Sequence, residues 1–160
     1  MITKRLSPAI ALFCLVMFSF AQVCVGQGSS KSLASKGQRI KIYFYHDPGE
    51  YIDLSPVTRA VRTTAPARFA LQALLAGPTA AEKRQGFDSL VDGSKFSISS
   101  LSIRSGVARV NFVTRRWFGW AGDLGAVRFK KAVELTLKQF SNITSVIVSL
   151  NGDANFDADG

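Results

Sequence analysis

Both cysteines of this 160-residue chain, Cys14 and Cys24, lie within its first 26 residues. A domain formed by the residues that follow has no thiol, so neither a disulfide bond nor a cysteine-ligated metal can stabilise it. Its stability must come from apolar burial, and a hydrophobic content of 47% is sufficient for one domain of ordinary size. The same composition excludes a wholly disordered chain.

Residues 1–26 have the composition of a secretory signal peptide. Lys4 and Arg5 form a basic start, the stretch from Leu6 to Ala21 is largely apolar, and small residues follow it. Cleavage is predicted after Ala21 or after Gly26. The alternatives are an uncleaved membrane anchor, for which the apolar run is too interrupted, and a lipidated cysteine, which needs a leucine that this sequence lacks at that spacing.

The predicted export sets the surroundings in which the charge of the domain acts. The leader contains two basic residues and no acidic one, so its removal lowers the formal charge from +9 to +7. A basic surface outside the cytoplasm meets anionic wall polymers, lipid head groups or acidic proteins rather than chromosomal nucleic acid. We therefore expect a periplasmic, wall-associated or extracellular protein that has no transmembrane span after processing.

Hydrophobic patterning predicts an α+β domain at residues 39–152, between a flexible linker at 27–38 and an acidic tail at 153–160. Strands are predicted at 40–45, 98–104, 107–113 and 145–150, and the main helices at 66–76 and 126–140. Ser105-Gly106 joins the two middle strands as a tight hairpin, and residues 54–62 form either a short strand or a helical turn. The order strand, helix, strand, strand, helix, strand indicates two layers, with one mixed sheet of about four strands and helices mainly on one face.

Capping residues delimit the helices. Thr64 is predicted to cap the first helix and Pro66 to lie in its first turn. The pair Gly77-Pro78 ends that helix, and Thr79 with Glu82 forms a capping box for a second, shorter one. Local chemistry thus predicts two consecutive helices that are separated by a sharp turn.

Several of these residues also match a known family pattern. The matching segments are Ile42-Tyr43-Phe44, Val57-Thr58-Arg59, Ala73 to Thr79 with Glu82, Leu101-Ser102-Ile103, Gly106 to Phe112, Thr136 to Phe140, Val146-Ile147-Val148 and Asn151-Gly152. Their combination and spacing resemble the GerMN domain of bacterial sporulation and spore-germination proteins. The residues carried over as its structural motif are Gly77, Pro78, Thr79, Glu82, Phe140 and Gly152.

The resemblance implies an extracytoplasmic, non-enzymatic α+β domain with no cofactor. Members of that family occur alone or beside peptidoglycan amidase domains, which implies an association with peptidoglycan, another cell-wall polymer, or a protein complex of the envelope or spore. Some relatives resemble ring-building modules of spore channels, so a homo-oligomer is among the expected states. The alternative function is that of a cell-wall-modifying enzyme or its accessory subunit.

The residues themselves offer little for catalysis. His46 is the only histidine and can act as a base, but it lies beside Asp47 and Pro48, where a turn explains it. The carboxylates Glu50 and Asp53 belong to the same solvated region. Zinc needs three or four ligands from histidine, cysteine or carboxylates, and one histidine does not supply them. No catalytic residue and no metal site are predicted.

The sequence also bears on calcium binding and on RNA binding. The acidic tail resembles the opening of a calcium loop, but its sixth position is Ala158 where such a loop needs glycine, so a solvated end explains it. The order of elements is also that of RNA-recognition modules, in which aromatic side chains stack on bases. Tyr43 and Tyr45 share one strand face, but the segment from Arg109 to Phe112 lacks the glycine of such modules, so no nucleic-acid partner is predicted.

The segment from Thr114 to Trp120 combines two arginines with three aromatic rings. Arginine pairs with carboxylates and phosphates through two hydrogen bonds, and exposed tryptophan and arginine are frequent binding hot spots. The segment is predicted to contact an anionic wall glycopolymer, a peptide stem or an acidic envelope protein; alternatively, its rings fold inward and its arginines solvate an edge. The predicted binding residues are Arg115, Arg116, Trp117, Trp120, Lys130 and Lys131. The two lysines either extend the basic patch or form a solvated helix face.

Overall fold

Apolar alternation forms the strands of this domain and helical periodicity forms its helices. The computed structural model describes residues 37–46, 53–114 and 124–156. The strands are β1 (Gln38–His46), β2 (Asp53–Val61), β3 (Phe87–Asp88), β4 (Phe96–Arg104), β5 (Val107–Thr114) and β6 (Ser145–Leu150), and the helices are α1 (Pro66–Ala76), α2 (Ala80–Lys83) and α3 (Leu124–Lys138). The predicted α+β class is confirmed. No helix in the described part of the chain has the length and apolar character needed to cross a membrane.

Within the described residues, the strands form two sheets of three rather than the one sheet predicted from the sequence. The first sheet is antiparallel with the order β2-β1-β3; in the second, β5 pairs antiparallel with β4 and parallel with β6. The single-sheet prediction is wrong because β1 finds its main partner directly along the chain. β2 pairs with β1 over its full length, from Gln38 opposite Val61 to His46 opposite Asp53. The segment at 54–62, for which the sequence allowed either a short strand or a helical turn, therefore forms a strand.

The second edge of β1 pairs with β3 only at Tyr45 and His46, and side chains at the end of α3 close an earlier part of it. Gln139 accepts a hydrogen bond from Lys41 N through Oε1 at 2.7 Å and donates from Nε2 to Lys41 O at 2.6 Å. Farther along the strand, Thr136 Oγ1 accepts from Tyr43 N at 3.4 Å. The Gln139 amide thus occupies the position of one rung of a β-ladder, where a further strand would otherwise pair. These contacts give a structural role to Thr136 and Gln139, which belong to the segment that matches the family pattern.

Gln139→Glu is expected to lower the free energy of unfolding by about 2 kcal/mol. The carboxylate keeps the shape of the amide but has no hydrogen to donate to Lys41 O or Thr136 O. Chemical denaturation at neutral pH measures the change. Gln72→Glu, at an exposed position of α1, is the matched control and is expected to change stability by less than about 0.5 kcal/mol. Equal effects of the two variants would contradict the proposed rung.

The core is built from the inward positions of the two central strands and from α1 and α3. Ile40, Ile42 and Phe44 of β1 are at most 1% exposed, and Phe112 of β5 and Phe129 of α3 are fully buried. The rings of Phe112 and Phe129 meet edge to face, with centroids 5.1 Å apart. The buried apolar residues form one cluster, so the two sheets share a single core.

Helix capping agrees with the prediction at α2 but not at α1. Thr79 Oγ1 accepts from Glu82 N at 3.3 Å and Glu82 Oε2 accepts from Thr79 N at 2.6 Å, so the capping box is confirmed. The prediction that Thr64 caps α1 is wrong, because the capping position is Ala65, which makes no side-chain hydrogen bond. Pro66 at the helix start has no N–H group, and this reduces the number of donors that need a cap.

The C-terminal residues turn back onto β6. The pair Asn151-Gly152 adopts φ angles of 52° and 91°, as in a two-residue hairpin turn, and Asp153 then pairs with Leu150. Phe156 is 3% exposed and belongs to the core. The start of the predicted acidic tail is therefore packed on the domain, whereas residues 157–160 lie outside the described part of the chain.

Candidate functional site

Arg59 of β2 joins three elements at the corner between α1 and α2. Its Nε and Nη2 atoms donate to the two carboxylate oxygens of Glu82 at 3.1 and 2.6 Å, and Nη2 also donates to the Gly77 carbonyl at 3.2 Å. The guanidinium lies over the Phe44 ring, 5.5 Å from its centroid. The Glu82 carboxylate accepts a further hydrogen bond from Thr79 N. This corner therefore links the first sheet to both helices.

The same contacts set the ionisation of Glu82. Hydrogen bonds from Arg59 hold the pKa of the Glu82 carboxyl below its ordinary value; burial opposes this effect, and the bond from Thr79 N adds to it. The side chains of Arg59 and Glu82 are 20% and 14% exposed, so water screens the pair only in part. The carboxylate is thus committed to stabilising the fold and is a poor proton acceptor at neutral pH.

Gly77 makes the turn at this corner. Its φ of 78° and ψ of −178° lie in a region that residues with a side chain avoid. A Cβ atom at this position would overlap Ser89 Oγ. The Gly77 N–H donates to Leu74 O at 3.2 Å and ends α1, and the buried Pro78 that follows cannot continue the helix. The Gly-Pro-Thr segment is therefore explained by the turn it builds.

The remaining motif residues also serve the fold. Phe140 packs against the core just after α3. The Asn151 side chain accepts from Thr114 N at 3.1 Å and donates to Thr114 Oγ1 at 3.3 Å, and Gly152 N donates to Asn111 Oδ1 at 2.9 Å. These bonds continue the pairing of β5 and β6 past the end of β6. These motif residues thus hold elements of the fold together.

His46 is held as a structural side chain. Its Nε2 donates to the Gln85 carbonyl at 3.1 Å, and its ring centroid lies 4.5 Å from that of Phe87. Because a carbonyl oxygen only accepts, this nitrogen carries the hydrogen. Asp47 and Glu50 lie outside the described residues. Among the residues that the structure describes, no three His, Cys, Asp or Glu side chains are grouped so that they could hold a metal.

An open cleft of about 1120 Å³ lies between the end of β1, one side of α1, the segment from Asp88 to Ile98 and the start of α3. Leu75, Val91 and Phe96 supply apolar lining. The polar side chains that line it are Tyr45, Arg68, Gln72, Asp88, Ser89, Asp92, Ser94 and Ser97. A concave surface with apolar walls and several convergent polar groups is the usual form of a ligand site.

The lining of the cleft combines charges of both signs with an aromatic ring. Arg68 stands on the exposed side of α1. Asp92 accepts hydrogen bonds from Ser94 Oγ at 2.6 Å and Ser94 N at 3.1 Å, and these bonds lower the pKa of the Asp92 carboxyl. The half-buried Tyr45 ring has the Arg128 guanidinium 5.8 Å from its centroid. Such a lining can hold a ligand that carries amides, hydroxyls and both signs of charge.

The predicted binding residues fall into two groups. Four of them lie outside the described residues: Arg115, Arg116, Trp117 and Trp120. The two lysines of α3 have partners within the domain. Lys130 donates to the carbonyl of Phe156 and its Nζ lies 4.0 Å from the centroid of that ring, and Lys131 pairs with Glu134 at 3.3 Å. The role of all six residues in binding stays a prediction.

Sequence reasoning missed the cleft because its residues come from separated parts of the chain. Arg68 and Gln72 are four residues apart, so they share the outer side of α1, and this spacing was the one periodic signal for the site. Gly93 approaches Leu75 so closely that a Cβ atom would overlap the Leu75 carbonyl oxygen. An isolated glycine within a polar segment was the weak sign of this close approach.

Fold and site together define an α+β domain whose motif residues hold its elements together. A family model described as "Sporulation and spore germination", named Germane, matches residues 41–155. This chain therefore belongs to the Germane family, and the GerMN resemblance seen in the sequence is confirmed.

Solved structures agree with this assignment at the level of the fold. The tandem GerMN domains of the sporulation protein GerM from Bacillus subtilis superpose with a TM-score of 0.57 and 17% identity, covering 73% of this chain and 40% of that one. The first GerMN domain of the same protein gives a TM-score of 0.54 and 21% identity, covering 72% of this chain and 84% of that one. This chain thus spans 40% of the length of the tandem structure. No curated protein matches the sequence.

Proposed function

We propose that this protein is exported and acts as a non-catalytic binding domain of the bacterial cell envelope, associated with peptidoglycan or with a protein complex of the envelope or spore. The observation that carries the proposal is that residues of the family pattern make bonds within the fold. Gly77, Glu82 and Asn151 are all engaged in bonds that join elements of the fold. The residues of the family pattern therefore stabilise the fold, and this supports a role in binding.

The relatives support a role at the envelope. GerM of Bacillus subtilis is a sporulation protein, and the family is described by sporulation and spore germination. The GerMN resemblance implies that such domains work at the cell wall or in envelope assemblies. The apolar leader of residues 1–26 supplies export, and the basic net charge of the chain favours anionic material outside the membrane.

The cleft favours a peptide stem of the cell wall as the ligand. Such stems carry amide groups, carboxylates and an amine. Arg68 supplies a guanidinium for a carboxylate, and Asp88 and Asp92 supply acceptors for an amine or amide. The predicted binding loop adjoins this site in the chain, because residue 124 begins α3 and Gly125 lines the cleft. Arg115 and Arg116 lie outside the described residues, and their contribution to binding is proposed from their residue types.

Arg68→Glu is expected to reduce co-sedimentation of the protein with purified peptidoglycan about tenfold, as removal of a hot-spot arginine does. Replacing Arg115 and Arg116 together by alanine is expected to weaken binding in the same assay. Arg104→Glu makes the same change in charge at an exposed site of β4 away from the cleft, and it is the matched control. Equal losses of binding for Arg68→Glu and Arg104→Glu would mean that the interaction depends on net charge alone and not on the cleft.

Two other results would overturn the proposed function. Release of soluble wall fragments by the purified protein would show catalysis. Intact mass measurement of the protein from cells should show a chain that begins after Ala21 or Gly26, and a cytosolic protein with an intact leader would contradict export.

A further inference from the structure

The outer edge of β6 has no strand beside it among the described residues. Ser145 N donates to Gly106 O at 3.1 Å and Asn151 N donates to Phe112 O at 2.8 Å, so the odd-numbered residues of the strand bond to β5. Since backbone groups alternate in direction along a strand, the N–H and C=O groups of Val146 and Val148 point away from β5. These four groups are available to another extended chain.

The residues that follow β6 pair with this edge at one position only. Leu150 and Asp153 exchange two backbone hydrogen bonds at 2.8 and 3.0 Å. The next residues bend away, because Asn155 N donates to Asp153 Oδ1 at 2.8 Å and Phe156 turns into the core. The pairing therefore stops after one rung. The Leu150–Asp153 pair shows that an antiparallel chain fits at this edge. Within the described part of the chain, Val148 and Val146 have no partner strand on this side.

An apolar groove of about 430 Å³ accompanies the free edge. It lies between α3 and β6. Val127 of α3 is 59% exposed and Ile147 of β6 is 40% exposed, so the groove presents two large aliphatic side chains to solvent. A strand added at the edge would cover both side chains.

The charges around the groove select the occupant. Lys130 and Lys131 line it, and Glu134 is the acidic side chain in its described lining. Glu134 also pairs with Lys138, so lysines outnumber carboxylates on this side of α3. Arg109 of β5 adds an exposed positive charge in register with Ile147. A second copy of this basic chain would bring like charges together, whereas an acidic segment is attracted.

We propose that the outer edge of β6 binds an extended acidic segment of a partner protein, which adds to the sheet as an antiparallel strand in line with Asp153. The strand bonds to the outward groups of Val146 and Val148. Its apolar side chains cover Val127 and Ile147, and its carboxylates lie within reach of the surrounding cations. This protein-binding edge is separate from the proposed wall site at Arg68.

The test uses the protein expressed from its full-length gene and an acetylated synthetic peptide of alternating valine and glutamate residues as the probe. Titration calorimetry gives the affinity, and backbone amide NMR shifts should centre on β6. Val146→Pro removes an outward N–H without touching the bonds to β5, and it is expected to weaken binding about tenfold. Val146→Thr keeps that N–H and is the matched control. Lys131→Glu is expected to weaken binding more than Lys83→Glu, which makes the same charge change on α2.

Several outcomes would overturn the proposal. One is equal binding of a peptide of alternating valine and lysine; another is shifts centred away from β6. If Val146→Pro does not fold, a peptide with N-methylated amides replaces it, and unchanged affinity of that peptide would contradict strand addition. If analytical ultracentrifugation shows dimers, and if Val146→Pro dissociates them, the edge of β6 binds a second copy of this chain instead. Arg68→Glu should leave the peptide affinity unchanged, so this result is independent of wall binding.

Discussion

Gly93→Ala is expected to lower the free energy of unfolding by about 3 kcal/mol, which is the upper range for overpacking a closely fitted site. A Cβ atom at Gly93 would overlap the Leu75 carbonyl oxygen and lie 2.7 Å from its carbonyl carbon. Both atoms belong to the backbone at the end of α1, so no side chain can rotate to relieve the overlap. The segment that carries Gly93 must move, and this segment lines the cleft.

Thermal and chemical denaturation measure this loss, and peptidoglycan co-sedimentation reports its effect on the cleft. Gly37→Ala is the matched control, because a Cβ atom there would meet only the Arg62 side chain at ordinary distances of 3.8 and 3.9 Å. We expect the control to change stability by less than about 0.5 kcal/mol. Similar stabilities of the two variants would mean that the close approach of Gly93 to Leu75 is relaxed at little cost.

Arg59→Met is expected to lower the free energy of unfolding by about 2 kcal/mol. Methionine keeps apolar contact with Phe44 but removes the three hydrogen bonds to Glu82 and Gly77. A double-mutant cycle with Glu82→Gln isolates the pair, and a coupling energy near zero would contradict its importance. Arg104→Met, at an exposed position of β4, is the control for loss of an arginine.

The same pair predicts how stability depends on pH. The pKa of Glu82 is lower in the folded protein than in the unfolded chain, chiefly because of the Arg59 hydrogen bonds. Its stabilising contribution is therefore fully present above the unfolded value of about 4.3 and is lost as the pH falls through the folded-state pKa. The stability difference between the wild type and Glu82→Gln should shrink over this acid range. In the Arg59→Met background the same substitution should show a weaker dependence on pH.

Much of the local structure could be predicted because its causes lie within a few residues. The capping box at Thr79 and the last strand at Ser145–Leu150 match the structure, and the hairpin at Ser105-Gly106 has positive φ at both turn residues. The predicted cap of α1 by Thr64 is wrong because the helix begins one residue later, with Ala65 at the capping position, and the Ala65 N–H donates to Thr63 Oγ1. Strand β3 was missed because a two-residue strand has no periodicity.

The candidate site was less predictable than the fold. The motif residues could be recognised as a family pattern, but their bonds, such as those of Arg59 to Glu82, required the folded chain. The cleft combines side chains such as Tyr45 and Asp92 that are remote in sequence. The edge of β6 depends on Phe156 turning into the core, and a solvated tail was the more local interpretation of the same residues.

The amino-acid sequence by itself determined the positions of most helices and strands, the turns between them and the family, because hydrophobic period, capping and turn chemistry act over a few neighbouring residues. Only the tertiary structure decided which strands share a sheet and where the cleft and free edge lie. In β1, for example, the position of a further strand is taken by the side chain of Gln139, 98 residues away from Lys41. Several partners can satisfy a strand edge, and the packing of the whole core selects among them.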